Sequence, residues 1–117
     1  MPFFFLIQFM KTLLVIAFCL LLICCKSKNS NNVTFHTVSI EMMQFEPDTL
    51  TVQPGDTIQW INKDIVSHDV SHFPDRNWHS DTLNKDATFI KVATDSFSYF
   101  CSIHPTMRGK ILIEKSN

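Results

Sequence analysis

Glycine is nearly missing from this chain: Gly55 and Gly109 are the only two in 117 residues. Tight turns must therefore be made by other residues, and Asp81, Asp86 and Asp95 stand where turns are needed, because aspartate tolerates left-handed conformations better than most side chains. Cysteine is scarce where it would matter for a fold. Of four, Cys19, Cys24 and Cys25 lie in the first 25 residues, which leaves Cys101 alone and excludes a disulfide within the rest of the chain. Charge of one sign is also lacking, with 10 basic against 11 acidic residues and a net charge of −1, so nothing attracts a nucleic acid. No internal repeat appears, and beyond the N-terminal apolar stretch no segment carries a helical period. The length leaves room for one domain.

What is abundant comes first in the chain. Residues 1–25 are almost wholly apolar, and Lys11 followed by the run from Leu13 to Ile23 has the form of an export signal. Met10-Lys11 would itself make a conventional start. The segment ends in Leu22-Ile23-Cys24-Cys25, which resembles a bacterial lipoprotein cleavage site with Cys25 as the lipidated residue. The alternative is an uncleaved membrane helix, since the apolar stretch is long enough to span a bilayer. Either way the domain is expected to be exported, to the periplasm or cell envelope, and tethered to a membrane. Residues 26–32, polar and without periodicity, read as a flexible tether, and residues 33–117 as the folded domain.

That domain reads as β throughout. Residues 33–40 alternate, Pro47-Asp48 makes a turn, 49–52 is a short strand, Gln53-Pro54-Gly55-Asp56 a turn and 57–61 a strand. Residues 68–73 continue a sheet, 74–87 are polar and irregular, and a strand over 88–92 faces another over 97–101, with 110–114 last. Short, evenly spaced strands predict an all-β sandwich of two sheets. Its core is expected to hold Phe35, Phe45, Leu50, Val52, Ile58, Trp60, Phe89, Val92, Phe97, Tyr99, Ile111 and Ile113, with Trp78 over its edge.

The chemistry is concentrated in Cys101-Ser102-Ile103-His104-Pro105-Thr106-Met107, a Cys-x2-His-x2-Met spacing between two strands. Pro105 argues against a helix and for a tight loop. An exported, unpaired thiol invites oxidation and needs a reason to stay, and metal coordination supplies one. Thiolate and thioether are soft ligands and imidazole is borderline, a mixture that suits copper in both oxidation states. Two His, one Cys and a long axial Met form the blue-copper electron-transfer arrangement, and His68, at the end of a polar turn, supplies the second imidazole.

With these residues in view, the chain resembles the cupredoxins, the small blue copper proteins, and among them the plastocyanin and amicyanin group. The resemblance covers nearly all of residues 35–114. It runs through Phe45-Glu46-Pro47, the stretch from Leu50 to Asn62, His68-Asp69-Val70 and Tyr99 to Glu114. The short gap between His104 and Met107 is similar to that of amicyanins. The resemblance implies a Greek-key sandwich, one copper ion on His68, Cys101, His104 and Met107, and an electron carrier rather than an enzyme. It places Asp69 and Ser102 behind the ligands. The family's residue after the first His helps tie the two ligand loops together and is usually Asn, so Asp69 leaves that hydrogen-bond pattern and the potential open. His104 inherits the role of electron port, with Pro105, Thr106 and Met43 around it as a docking patch. Partners implied are other redox proteins (a cytochrome, dehydrogenase or oxidase), met by a monomer. A copper storage or delivery protein would use the same four ligands.

Other readings fall away or are bland. A dinuclear copper centre needs a second Cys in the ligand loop, and none lies between Phe100 and Gly109 other than Cys101. A multicopper oxidase needs more domains and more His, and a hydrolytic Cys-His enzyme leaves His68 and Met107 unexplained. His36 reads as structural or exposed, His72 as too far along to share the metal easily but able with His79 to form a weak secondary metal site, and Met42 and Met43 as core or surface residues rather than ligands.

Overall fold

A computed structural model describes residues 2–21 and 32–115. Contacts divide the chain into two units, Met1–Asn31 and Asn32–Asn117. In the first, Pro2–Leu21 forms helix α1. Pro2 takes the first helical position, where its missing N–H costs nothing, and no glycine interrupts the helix. Among the described residues no helix is long and apolar enough to cross a membrane. Cys25 and tether residues 26–31 lie outside the described residues.

The second unit is built of eight strands: β1 (Phe35–Glu41), β2 (Gln44–Glu46), β3 (Thr49–Val52), β4 (Thr57–Asn62), β5 (Ser71–His72), β6 (Thr88–Val92), β7 (Phe97–Phe100) and β8 (Arg108–Ile113). They form two four-stranded sheets, ordered β2-β1-β4-β6 and β3-β8-β7-β5. The chain passes repeatedly from one sheet to the other. Hence β1 and β4 pair in parallel, as do β3 and β8, while the remaining pairs are antiparallel. This is the expected all-β sandwich of two sheets. Between them lie Val38, Ile40, Phe45, Val52, Ile58, Trp60, Val70, Leu83, Ala93, Tyr99 and Ile111, together with Cys101 and Met107.

Two expected core residues are not in the core. Phe35 is 56% exposed and Val92 51%. Register explains both. Directly paired residues share a face, and Trp60 and Ile58 point inward, so their β6 partners Phe89 and Lys91 take the inner face of that strand. Val92 pairs with Thr57, which also pairs with Phe35, and this row lies on the outer face. Hydrophobic identity alone could not settle which of two alternating sets faced inward.

The polar stretch 74–87 is less irregular than its composition implies. Leu83 is buried and bridges His68, while His79 bridges Ser71. Only Ser71–His72 of the expected 68–73 strand is regular, because His68 and Val70 spend their backbone bonds on Leu83 and Ser80. Trp78 covers the core edge, 5.1 Å edge-on from Phe97 and 6.3 Å from Phe89, with Lys91 Nζ 4.6 Å above its ring. Of the three turn aspartates, Asp86 has positive φ, at 65°.

Behind the loop of residues 101–107 sits a close approach. Tyr99 pairs with Gly109 across β7 and β8, and its ring occupies the space that a side chain on Gly109 would need. The phenol is wholly buried, and burial pushes it up to about 12. Tyr99 also meets Phe45 and Trp60 edge-on at 4.8 and 5.2 Å. A Gly109→Ala change must displace that ring, two residues from Cys101. It should lower unfolding free energy by about 1–3 kcal/mol in denaturant melts, the usual cost of overpacking a filled core.

Candidate metal centre

Four sequence-derived ligands come from two loops at one end of the sandwich. Tyr99 and Cys101 are both wholly buried, as alternation along β7 requires, and the strand ends at Phe100. Residues 101–107 form neither helix nor strand, and two backbone bonds close them into a loop. Cys101 N donates to Met107 O at 3.2 Å, and Met107 N donates to His104 O at 3.0 Å. Pro105 and Thr106 are exposed at its tip, and Met107 returns to the core at 3% exposure before β8 begins.

His68 arrives from the other loop. Asn62, the last residue of β4 and fully buried, braces it. Its Nδ2 donates to Val66 O and to Leu83 O, both at 2.8 Å, and its Oδ1 accepts from Asp64 N at 2.9 Å. A two-way backbone bridge between His68 and Leu83 then fixes where the ligand residue sits. Its imidazole has no exposed surface, and Nε2 lies 2.9 Å from Asp64 Oδ2.

The three strongest donors converge. Cys101 Sγ is 3.7 Å from His68 Nδ1 and 3.8 Å from His104 Nδ1, and the two Nδ1 atoms are 3.2 Å apart. Atoms at these separations enclose a point about 2.1 Å from each, the length of a bond from a first-row metal ion to nitrogen or thiolate. Among the described residues, His68, Cys101 and His104 are the one group of His, Cys and carboxylates placed to hold a metal ion. Sulfur, two imidazole nitrogens and a nearby thioether fit copper better than a hard, oxygen-seeking ion. Burial pushes the Cys101 thiol up from its ordinary value, and neighbouring backbone bonds only partly offset this. Binding a cation is thus what would favour the thiolate there.

Asp69 ties the two loops. Although it stands beside His68, it reaches the other ligand loop, accepting from Ser102 N and Ser102 Oγ at 2.5 Å each. Ser71 Oγ donates to it at 2.9 Å, and the Arg76 guanidinium lies 3.6 Å away. Burial works against this carboxylate, yet the two serine hydroxyls and the Ser102 amide together hold it below the usual range. Asp69 thus bonds Ser102 across the two loops although it replaces the Asn usual in the family, a substitution that left the hydrogen-bond pattern open in the sequence. Arg76 joins them with no motif in the sequence to mark it.

The other histidines are engaged elsewhere. His36 Nε2 bonds Asp56 Oδ2 at 2.8 Å, His72 Nδ1 bonds Asp75 Oδ1 at 2.5 Å, and His79 Nδ1 lies 3.0 Å from Ser80 O. Met42 and Met43 are surface residues, 82% and 43% exposed. Asp64, 2.9 Å from His68 Nε2, is the neighbour of the cluster that sequence reasoning missed. A carboxylate four residues before His68, in the same polar turn, was the available signal.

Comparison with known proteins agrees with this geometry. Residues 13–113 match a family model described as a cupredoxin-like domain. The chain is 32% identical over 84 residues to an amicyanin of Paracoccus denitrificans, and 29% over 83 residues to one of Paracoccus versutus. Each match takes in 66% of this chain and spans 63% of the length of the relative. A solved reduced Cu(I) form of an amicyanin variant superposes with a TM-score of 0.62 at 30% identity, over 67% of this chain and 80% of that one. A copper-containing nitrite reductase from Thermus scotoductus shares the fold at 23% identity and a TM-score of 0.63, over 69% of this chain and 22% of its own.

Proposed function

This chain belongs to the cupredoxin-like family, and from that premise we propose that it is a mononuclear blue-copper protein carrying single electrons between redox partners. The observation that carries the reading is the trigon of Cys101 Sγ, His68 Nδ1 and His104 Nδ1, buried except at one corner. Copper held there supplies one-electron chemistry between its two oxidation states. His68, Cys101, His104 and Met107 are the residues that would hold it.

The protein's contribution is rigidity. Cys101 directly follows β7, Met107 leads into β8, and His68 is bridged to Leu83, so three ligands sit on hydrogen-bonded backbone. Asp69 joins their loops, which resists any change of separation between them. A site that cannot relax toward the geometry of either oxidation state needs little rearrangement between them, which favours exchange over storage. Half-buried His104 is the port, set among exposed Ile103, Pro105 and Thr106. The partners fitting such a surface are redox proteins such as a cytochrome or dehydrogenase, meeting the carrier as a monomer.

Location follows from the first 32 residues. We propose that residues 1–25 direct export and that Cys25 is lipidated, with residues 26–32 as the tether. Anchoring of this kind keeps the copper domain near the membrane of the cell envelope and limits which partners it can reach.

Two outcomes check these readings. Cu(II) added to the metal-free full chain should give an intense blue band that disappears on reduction and is missing in Cys101→Ala. A weak spectrum indifferent to that change would sink the blue-copper reading. In bacteria fed a clickable fatty acid, the chain should take up label and lose it in Cys25→Ser; equal labelling of both would refute the anchor.

A further inference from the structure

A sheet that packs the core on one face should turn polar residues outward on the other. The outer face of the β2-β1-β4-β6 sheet departs from this. Its first row is Phe35, Thr57 and Val92, and its second is Thr37, Gln59 and Ile90. Phe35, Ile90 and Val92 are 56%, 52% and 51% exposed. No charged side chain stands on either row, and the first charges on this face, Glu41 and Glu46, come at the far end of the sheet. By contrast, the outer face of the other sheet carries exposed Arg108 and Lys110 on β8. An apolar patch without charge marks a surface that something covers.

The course of the chain indicates what lies nearest to it. From Thr34 onward the backbone is fixed to the sheet. Thr34 N donates to buried Asp56 Oδ1 at 2.9 Å, and Thr34 O accepts from Thr57 N at 3.0 Å. Phe35 follows at once. From Cys25 to Thr34 the chain reaches at most about 30 Å when fully extended. That is little more than the length of β1, about 23 Å. The apolar rows therefore begin where the chain arrives from its anchor. The metal end lies a strand length away, where Asn62, which braces the His68 loop, pairs with Ile40. Lys26 and Lys28, close to Cys25, add attraction to anionic headgroups.

We propose that the outer face bearing Phe35, Ile90 and Val92 lies against the lipid bilayer to which the chain is anchored. This rests on the anchor reading above. A short link to the bilayer holds the face there at high effective concentration, so three apolar side chains suffice for a contact that a free domain would not keep. The strands then run along the bilayer surface, and the His104 end of the sandwich faces sideways. Redox proteins bound at the same surface, met by lateral diffusion, are the partners this favours.

The test is photolabelling of the full chain, anchored in bacteria and reconstituted in vesicles of phosphatidylethanolamine and phosphatidylglycerol whose acyl chains carry a diazirine. Peptide mass spectrometry maps the label. Phe35, Ile90 and Val92 should each take at least fivefold more than two apolar controls. Leu112, 42% exposed, reports the outer face of the other sheet, and Ile65, 87% exposed, reports the metal end. A variant carrying Phe35→Thr, Ile90→Thr and Val92→Thr, all suited to strands, should stay with the vesicles and lose the excess. Label spread evenly, or concentrated on Leu112 or Ile65, would overturn the proposal even if that variant failed to fold. So would an unlabelled face in a chain that cross-links as a dimer, which would give the face to a second copy. A chain absent from the vesicles, with no fatty acid on Cys25, would strike the anchor reading and this proposal together. A chain retained there with its face unlabelled would strike this proposal alone.

Discussion

Two imidazole nitrogens held 3.2 Å apart, each also within 3.8 Å of one buried sulfur, bring three metal-binding donors to a single point. The protein must impose it, and much of the second unit can be understood as the means. Cys101 continues the inward face of β7, and the loop it opens is closed by backbone bonds between Cys101, His104 and Met107. His68 is bridged to Leu83, and the loop that carries it is braced by buried Asn62. Two aspartates finish the work from opposite sides. Asp69 draws the ligand loops together through Ser102, and Asp64 faces the back of the His68 ring.

Burial distributes the roles. His68, Cys101 and Met107 have almost no contact with water, which protects the lone thiol and raises the cost of any stray charge. His104 alone is half-exposed, so the one route from the donors to solvent is through an imidazole at a loop tip. Several large apolar side chains stay outside the core in the loops and turn that carry or brace the ligands. Ile103, Met42 and Ile65 are 47%, 82% and 87% exposed.

Much of this was legible in the sequence because the signals were chemical. A Cys-x2-His-x2-Met loop between strands, with a distant His, restricts the metal and its geometry far more tightly than any propensity restricts a strand. The structure gathers His68, Cys101 and His104; that Asp69 bonds Ser102 was not legible, because the family's usual Asn is replaced there. What escaped were features carried by backbone and register. Phe35 and Val92 read as core, and the strand register that turns them outward is set by Thr57 between them. Leu83 was hidden in a polar stretch, and its burial depends on a bridge to His68. The Met42–Met43 turn carries no Asn, Asp or Gly to announce it, and only its amide partners on Asp64 explain it.

The central claim is that this donor set is braced to exchange electrons rather than to store metal. Voltammetry of the copper-loaded full chain over many cycles tests it most directly. The account predicts one reversible one-electron wave at an intermediate potential, with no copper released in the reduced state. An irreversible wave, with copper lost on reduction, would contradict it and favour storage or delivery.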